Sequence, residues 1–473
     1  MLFNSLQFLV FFGVVLALYR RLSHRWQNGM LLVASYIFYG AWDWRFLILF
    51  FTTTFTDYCC ALQVANSTSP ARRKGFVALS IAVNMGILGF FKYANFFSDS
   101  LAELFAALGL QFHPLTMAII LPVGISFYTF QSMSYTLDVY RGELAPCRNL
   151  FDYALYVSFF PQLVAGPVER ATHLLPQVLQ PRQVTVEYVS EGLYLILWGY
   201  FKKVFVADNM ALIVQPIFAQ QTGFTGSQVC IGALAFAFQI YGDFSGYSDI
   251  ARGSARLLGF DIMRNFNLPY FARSPQDFWR RWHISLSTWL RDYLYVPLGG
   301  NRKGRVRTYV NLMATMVLGG LWHGAAWTFV IWGAYHGLLL SIHRAWTEWR
   351  NPAAERGRTD GNPLVHGLQI GAMFILTLYG WLIFRCQSFG QLCEMTAALC
   401  RVSLDSSLLH GLAKILFYAA VLICVQLAQY LGRDLDIVRK QPPVLQAAIH
   451  LLALYLLLVF GVFQSRSFIY FQF

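Results

Sequence analysis

Apolar runs recur from one end of the chain to the other, separated by short stretches where glycine, proline and basic residues gather. These runs predict helices near 4–19, 28–40, 45–58, 76–91, 116–136, 151–165, 188–206, 228–241, 307–322, 325–343, 364–384, 411–430 and 444–462. Repeated runs of this length are what helices crossing a hydrocarbon layer require. The pattern therefore predicts an all-α polytopic membrane protein with about ten to thirteen transmembrane or re-entrant helices. It reads as one integral-membrane domain over 1–473: N-terminal helices 1–150, a core 151–345 and C-terminal helices 346–473. The stretch 243–298 is mixed and predicts helices that enter, tilt and leave.

Composition agrees with the pattern. Of 473 residues, 57% are hydrophobic and only 12% charged, about half the charged share of a soluble domain. The net charge of +13 would suggest nucleic acid in a soluble protein. Here it reads as basic loops that set membrane orientation. Four clusters carry it: Arg20, Arg21 and Arg25; Arg72, Arg73 and Lys74; the stretch Arg273 to Arg307; and Arg344, Arg350, Arg356 and Arg358. Placing all four in the cytoplasm turns both termini outward. Phe8 to Leu18 is followed by Tyr19-Arg20-Arg21 without a small-residue cleavage site, so it reads as a retained helix. Cys386, Cys393 and Cys400 recur every seven residues, which predicts one helical face, and packing is the role read for all eight cysteines. No G-x-S-x-G, Walker A or dinucleotide fingerprint is present. That excludes an ATP-driven pump and a serine hydrolase of that kind.

Against this background a few polar residues stand out. "GGLWHGAAW" places His323 sixteen residues after Arg307, about 24 Å along a straight helix, so it lies at membrane depth beside a helix turn. A buried imidazole stays neutral and suits general-base work on a hydroxyl. Gly320 and Gly324 allow close backbone approach, and Trp322 and Trp327 are candidates to wall a cavity. "FWRRWHISLSTWLRDYLY" (Phe278 to Tyr295) reads as an amphipathic interfacial helix, with Trp279, Trp282, Leu286, Trp289 and Tyr293 on one face. His283 falls on its border, and Arg280, Arg281, Arg291 and Asp292 offer charges toward the phosphates of a cytosolic donor. "YGDFSGYSD" sets Asp243 and Asp249 beside apolar sequence, where carboxylates are costly unless paired. Arg252 and Arg256 follow, so an ion pair and a catalytic role both stand. "FFPQLVAGPVER" combines two prolines and a glycine and reads as a re-entrant loop. His336 and His343 share a helix face, and no metal-ligand spacing accompanies them.

Taken in order, "FPQLVAGP", "DFSGYSD", "NFNLPYFA", "FWRRWHISLSTWLRDYLY", "GGNR" and "GGLWHGAAWTFVIWGAYHG" resemble the membrane-bound O-acyltransferase family. Within it they resemble the membrane subunits that serve bacterial alginate O-acetylation. The similarity runs down to the closing "FIYFQF". The resemblance implies a helix bundle around a central tunnel, an acyl thioester arriving from the cytoplasm, and an acceptor on the other side. The histidine of the family's W-H-G motif matches His323, and that of its W-H-I-S motif matches His283. His283 is then expected near the cytoplasmic mouth and His323 deeper. Asn267, in "NFNLPYFA", joins the tunnel-lining candidates.

The resemblance further implies acetyl-CoA or another acetyl thioester as donor substrate, no permanently bound cofactor, and location in the bacterial inner membrane. It also implies periplasmic partners of the SGNH-hydrolase-like type and O-acetylation of a polysaccharide. Alginate leads, with bacterial cellulose and peptidoglycan as alternatives. Direct transfer with His323 as base and transfer through an acetyl-histidine remain open. A polysaccharide or small-molecule transporter and a structural scaffold are the readings from other classes.

Overall fold

Hydrocarbon reverses the usual sorting of side chains: apolar groups face outward at no cost, while polar groups must find partners inside. The computed structural model describes residues 1–112, 114, 117–163, 166–350, 362–463 and 468–469, and the reversal is visible helix by helix. Ser406–Gly432 exposes Leu409, Leu416 and Leu431 and buries Gln426 and Gln429. Ile125–Arg141 buries Thr129, Gln131, Ser132, Ser134, Thr136 and Asp138. All regular structure among the described residues is helical. Six helical stretches there are long and apolar enough to cross a membrane: His24–Asn66, Pro70–Ala107, Gly226–Leu257, Pro363–Arg385, Ser406–Gly432 and Pro443–Phe460. The protein is an all-α, multi-pass membrane protein.

The chain packs as two compact units interleaved in sequence, Met1–Ile196 with Ser248–Met263, and Leu197–Tyr247 with Arg264–Phe473. In the first, the fully buried Asp57 accepts hydrogen bonds from Ser80 Oγ (2.5 Å) and Asn84 Nδ2 (2.8 Å) on the neighbouring helix. Of the proline-rich segment after Phe159, residues 160–163 and 166–169 are buried, and the Glu169 carboxylate takes the Met263 N–H (2.5 Å) and contacts His173 Nδ1 (3.0 Å). Irregular backbone is thus tied by side chains rather than by helix ladders. Val164 and Ala165 of that segment lie outside the described residues, as do Arg356, Arg358 and the last four residues of the closing motif.

Three sequence expectations are corrected here. The run expected at 228–241 continues as one helix, Gly226–Leu257, its buried Asp243 paired with Lys203 and its half-buried Asp249 beside Arg252. The helix expected from 116 begins at Ile125, after Gly124 in the left-handed region (φ 74°). Cys386, Cys393 and Cys400 do not share a helix. Cys386 follows the end of Pro363–Arg385, and Ser388 caps a new helix, Phe389–Leu399, by accepting the Gln391 N–H (3.1 Å).

In the second unit, Arg305–His323 and Trp327–Trp349 form an antiparallel hairpin whose backbones touch. A Cβ added at Gly333 would collide with the Met316 carbonyl and lie 2.9 Å from Val317 Cα. One added at Gly320 would collide with the Phe329 carbonyl. Small residues at such crossings are what allow helices to pack where lipid offers no hydrophobic drive. Gly333→Val is expected to destabilise the protein by at least about 1–3 kcal/mol. Gly371→Ala, where an added Cβ meets nothing within 4 Å, leaves it unchanged. The midpoints of thermal unfolding in detergent micelles check the pair.

Candidate active site

His323 is the last residue of the helix Arg305–His323. Gly324 is fully extended (φ −160°, ψ 152°) and the next helix starts at Trp327. A side chain on Gly324 would collide with the Phe329 ring, so the turn needs glycine. The imidazole is 3% exposed, with ring centroids of Trp332 at 5.0 Å, Trp322 at 5.1 Å and Phe384 at 5.5 Å.

His283 arrives from a different construction. The stretch expected as one amphipathic helix is broken: Pro275–Arg281 and Ile284–Leu290 are separate, and His283 between them adopts the left-handed conformation (φ 42°, ψ 55°). A break inside protein leaves backbone groups to satisfy, and the segment ahead of it does so. Asn267 donates its N–H to the Arg281 carbonyl (2.9 Å), and Ile284 donates to the Asn265 carbonyl (2.9 Å). The break turns His283 inward until it is fully buried. Its ring sits 4.6 Å from Phe244 and 5.9 Å from Trp322. The two flanking helices, seven residues each, are too short to cross a bilayer. Burial pushes the His283 imidazole down to about 3, so the ring is neutral.

The two histidine centroids are 6.4 Å apart. The expected pair of stations, one at a mouth and one deeper, is therefore corrected to a single two-histidine centre. A third imidazole joins this aromatic cluster. His336 is 1% exposed, stacked on Phe278 (5.9 Å) and 4.7 Å from Trp332, which bridges it to His323. Sequence reasoning gave His336 a helix face but no place in the site. The available signal was the four-residue spacing of Trp332 and His336 on one helix, which puts both rings on the face that meets His323.

Of the other candidates, Trp322 is buried beside both histidines, whereas Trp327 is 55% exposed and does not wall the centre. Asn267 supports the break through its backbone. Arg281 is paired with Asp277 (2.8 Å), and Arg291, exposed, closes on Asp292 (2.7 Å). Arg280 is exposed. Asp249 belongs to the first unit, 3.8 Å from Arg252, while Arg256 pairs instead with Glu191 and Asp261. Asp243 is buried in an ion cluster with Lys203 (2.6 Å), which also binds Asp208 (2.9 Å). Its second oxygen takes the Ile469 N–H (2.6 Å). Phe468 packs on Phe244 (5.6 Å), the ring that contacts His283. Asp243 thus acts in the scaffold behind the histidines.

The membrane-bound O-acyltransferase family model matches residues 144–385, a span that contains His283, His323 and His336. The chain is 46% identical over 403 residues to a probable alginate O-acetylase, AlgI, of Pseudomonas putida, covering 84% of this chain and 80% of the relative. It is 46% identical over 392 residues to the Pseudomonas aeruginosa protein of the same name, covering 82% and 72%. A peptidoglycan O-acetyltransferase of Helicobacter pylori is 38% identical over 343 residues, 67% of this chain and 64% of that one. The chain belongs to the membrane-bound O-acyltransferase family.

As a member of that family it is an O-acyltransferase, and two imidazoles in a buried aromatic centre are suited to moving the proton that acyl transfer releases. The buried ion cluster gives a separate stability test. Lys203→Met leaves two carboxylates uncompensated and is expected to cost about 3–5 kcal/mol. Adding Asp208→Asn and Asp243→Asn to it recovers most of that loss. Thermal midpoints of the single and triple variants in one detergent check the recovery.

Proposed function

We propose that this acyltransferase O-acetylates an extracytoplasmic polysaccharide, alginate first, with acetyl drawn from a cytosolic thioester such as acetyl-CoA across the bacterial inner membrane. The observation that carries the reading is His323, buried at a helix end beside His283, in a chain that aligns over most of its length with proteins named probable alginate O-acetylases. His323 takes the proton from an acceptor hydroxyl, and the oxygen attacks the acetyl carbonyl carbon. Collapse of the tetrahedral intermediate breaks the carbon–sulfur bond, and the imidazolium returns its proton to the departing thiolate. His283, its ring 6.4 Å away, is the alternative base for that same proton.

The hydroxyl belongs to the polymer or to a periplasmic SGNH-hydrolase-like partner that passes the acetyl on. The thioester is a substrate, and no bound cofactor is needed for these steps. The exposed Arg280 is the cation offered to a phosphorylated donor. Peptidoglycan is the second polymer reading, supported by the Helicobacter pylori relative.

Purified protein supplied with isotopically labelled acetyl-CoA is expected to consume the thioester once polymer and partner are present. His323→Ala at matched folding lowers the rate by about 10²–10⁴. His283→Asn also loses activity yet keeps its thermal midpoint, because asparagine tolerates the left-handed backbone at that position. Full turnover by His323→Ala, or no turnover by the native protein with acetyl-CoA, alginate and partner together, overturns the reading. The second result would move the weight to a transporter.

A further inference from the structure

The surroundings of His283 fix which of its ring nitrogens carries the proton. A backbone amide N–H can only donate. Ser285 N–H points at one terminal atom of the Asn265 side chain (3.3 Å), so that atom is the amide oxygen, Oδ1. The same Oδ1 lies 2.6 Å from Ser285 Oγ. An amide oxygen only accepts, so the single hydroxyl proton of Ser285 is directed to Asn265. Ser285 Oγ is therefore left with lone pairs on its other side, where His283 Nδ1 lies at 3.4 Å. A hydroxyl oxygen with its proton already committed is an acceptor, and a neutral ring facing it presents Nδ1 as the N–H.

We infer that Asn265 and Ser285 are positioning residues that hold His283 as its Nδ1–H tautomer, which makes Nε2 the basic nitrogen of the ring. The inference rests on the proposed role of His283 only for its catalytic consequence; the tautomer itself follows from the hydrogen bonds. Both residues are buried, Asn265 at 1% and Ser285 at 0% exposure, so water does not compete for these bonds. Asn265 thereby serves twice: its carbonyl accepts from Ile284 across the helix break, and its side chain sets the hydroxyl that sets the ring. A histidine locked in one tautomer accepts a proton at one defined atom. The opposite tautomer would present an N–H where a base is needed.

The test uses the full-length protein in lipid nanodiscs with nitrogen-15-labelled histidine, the His283 signals being assigned by their loss in His283→Asn. Native protein is expected to show the Nδ1–H pattern at His283. Ser285→Ala is expected to shift the ring toward the other tautomer and to lower kcat about ten-fold, with KM within about two-fold, as for a lost buried hydrogen bond. Ser285→Thr, which restores a hydroxyl, is expected to restore both the spectrum and kcat. Native protein in the Nε2–H form, or a Ser285→Ala spectrum identical to native, overturns the inference. Because the spectrum needs no substrate, this outcome is read separately from the thioester assay, whose failure would overturn the proposed function instead.

Discussion

The centre depends on one break in a helix. Phe278 to Tyr295 has the composition to run as a single amphipathic rod, which would leave His283 on its flank. The backbone instead enters the left-handed region at His283, a conformation that costs a non-glycine residue about 1–2 kcal/mol. It persists because the groups exposed by the break are satisfied on both sides, Arg281 by Asn267 and Ile284 by Asn265. In a setting without water, an unsatisfied amide or carbonyl would cost more than the strained residue. The extended segment ahead of the two short helices is thus what makes an inward-facing histidine stable.

The rest of the second unit brings the other imidazole to meet it. His323 reaches the cluster because its helix ends at a glycine and folds back on a partner that approaches at backbone distance through Gly320 and Gly333. Trp322, Trp332 and Phe384 then close around the ring, and Trp332 extends the same packing to His336. Behind His283, Phe244 is held on a helix whose preceding Asp243 is neutralised by Lys203 and capped by the Ile469 N–H. The charge of Asp243 is thus balanced in the scaffold, and the imidazoles of His283 and His323 sit buried among aromatic rings. For acyl transfer the neutral ring is the useful state, since a protonated ring has no lone pair with which to accept the proton of an attacking hydroxyl.

Membership in the membrane-bound O-acyltransferase family and the geometry of the site address different parts of the function. The family gives the reaction class, and alginate and peptidoglycan appear in the names of the relatives. The structure supplies what names do not: which rings surround each imidazole, which polar groups lie against His283, and which charged residues are structural. Arg281 and Arg291, which sequence offered equally as donor contacts, each hold an acidic neighbour, whereas Arg280 keeps its exposed charge.

By itself the sequence determined the membrane class, the all-helical fold and the identity of the two central histidines. The length of the apolar runs follows from bilayer thickness, and a histidine between glycines and tryptophans at that depth is conspicuous. Tertiary structure decided the rest. The break at His283, the 6.4 Å meeting of His283 with His323, the recruitment of His336 and the pairing of Asp243 with Lys203 all join positions far apart in the chain. Helical periodicity reports which residues share a face of one helix. It cannot report where a helix will be interrupted to satisfy a neighbouring backbone, because that hydrogen-bond partner lies on another segment.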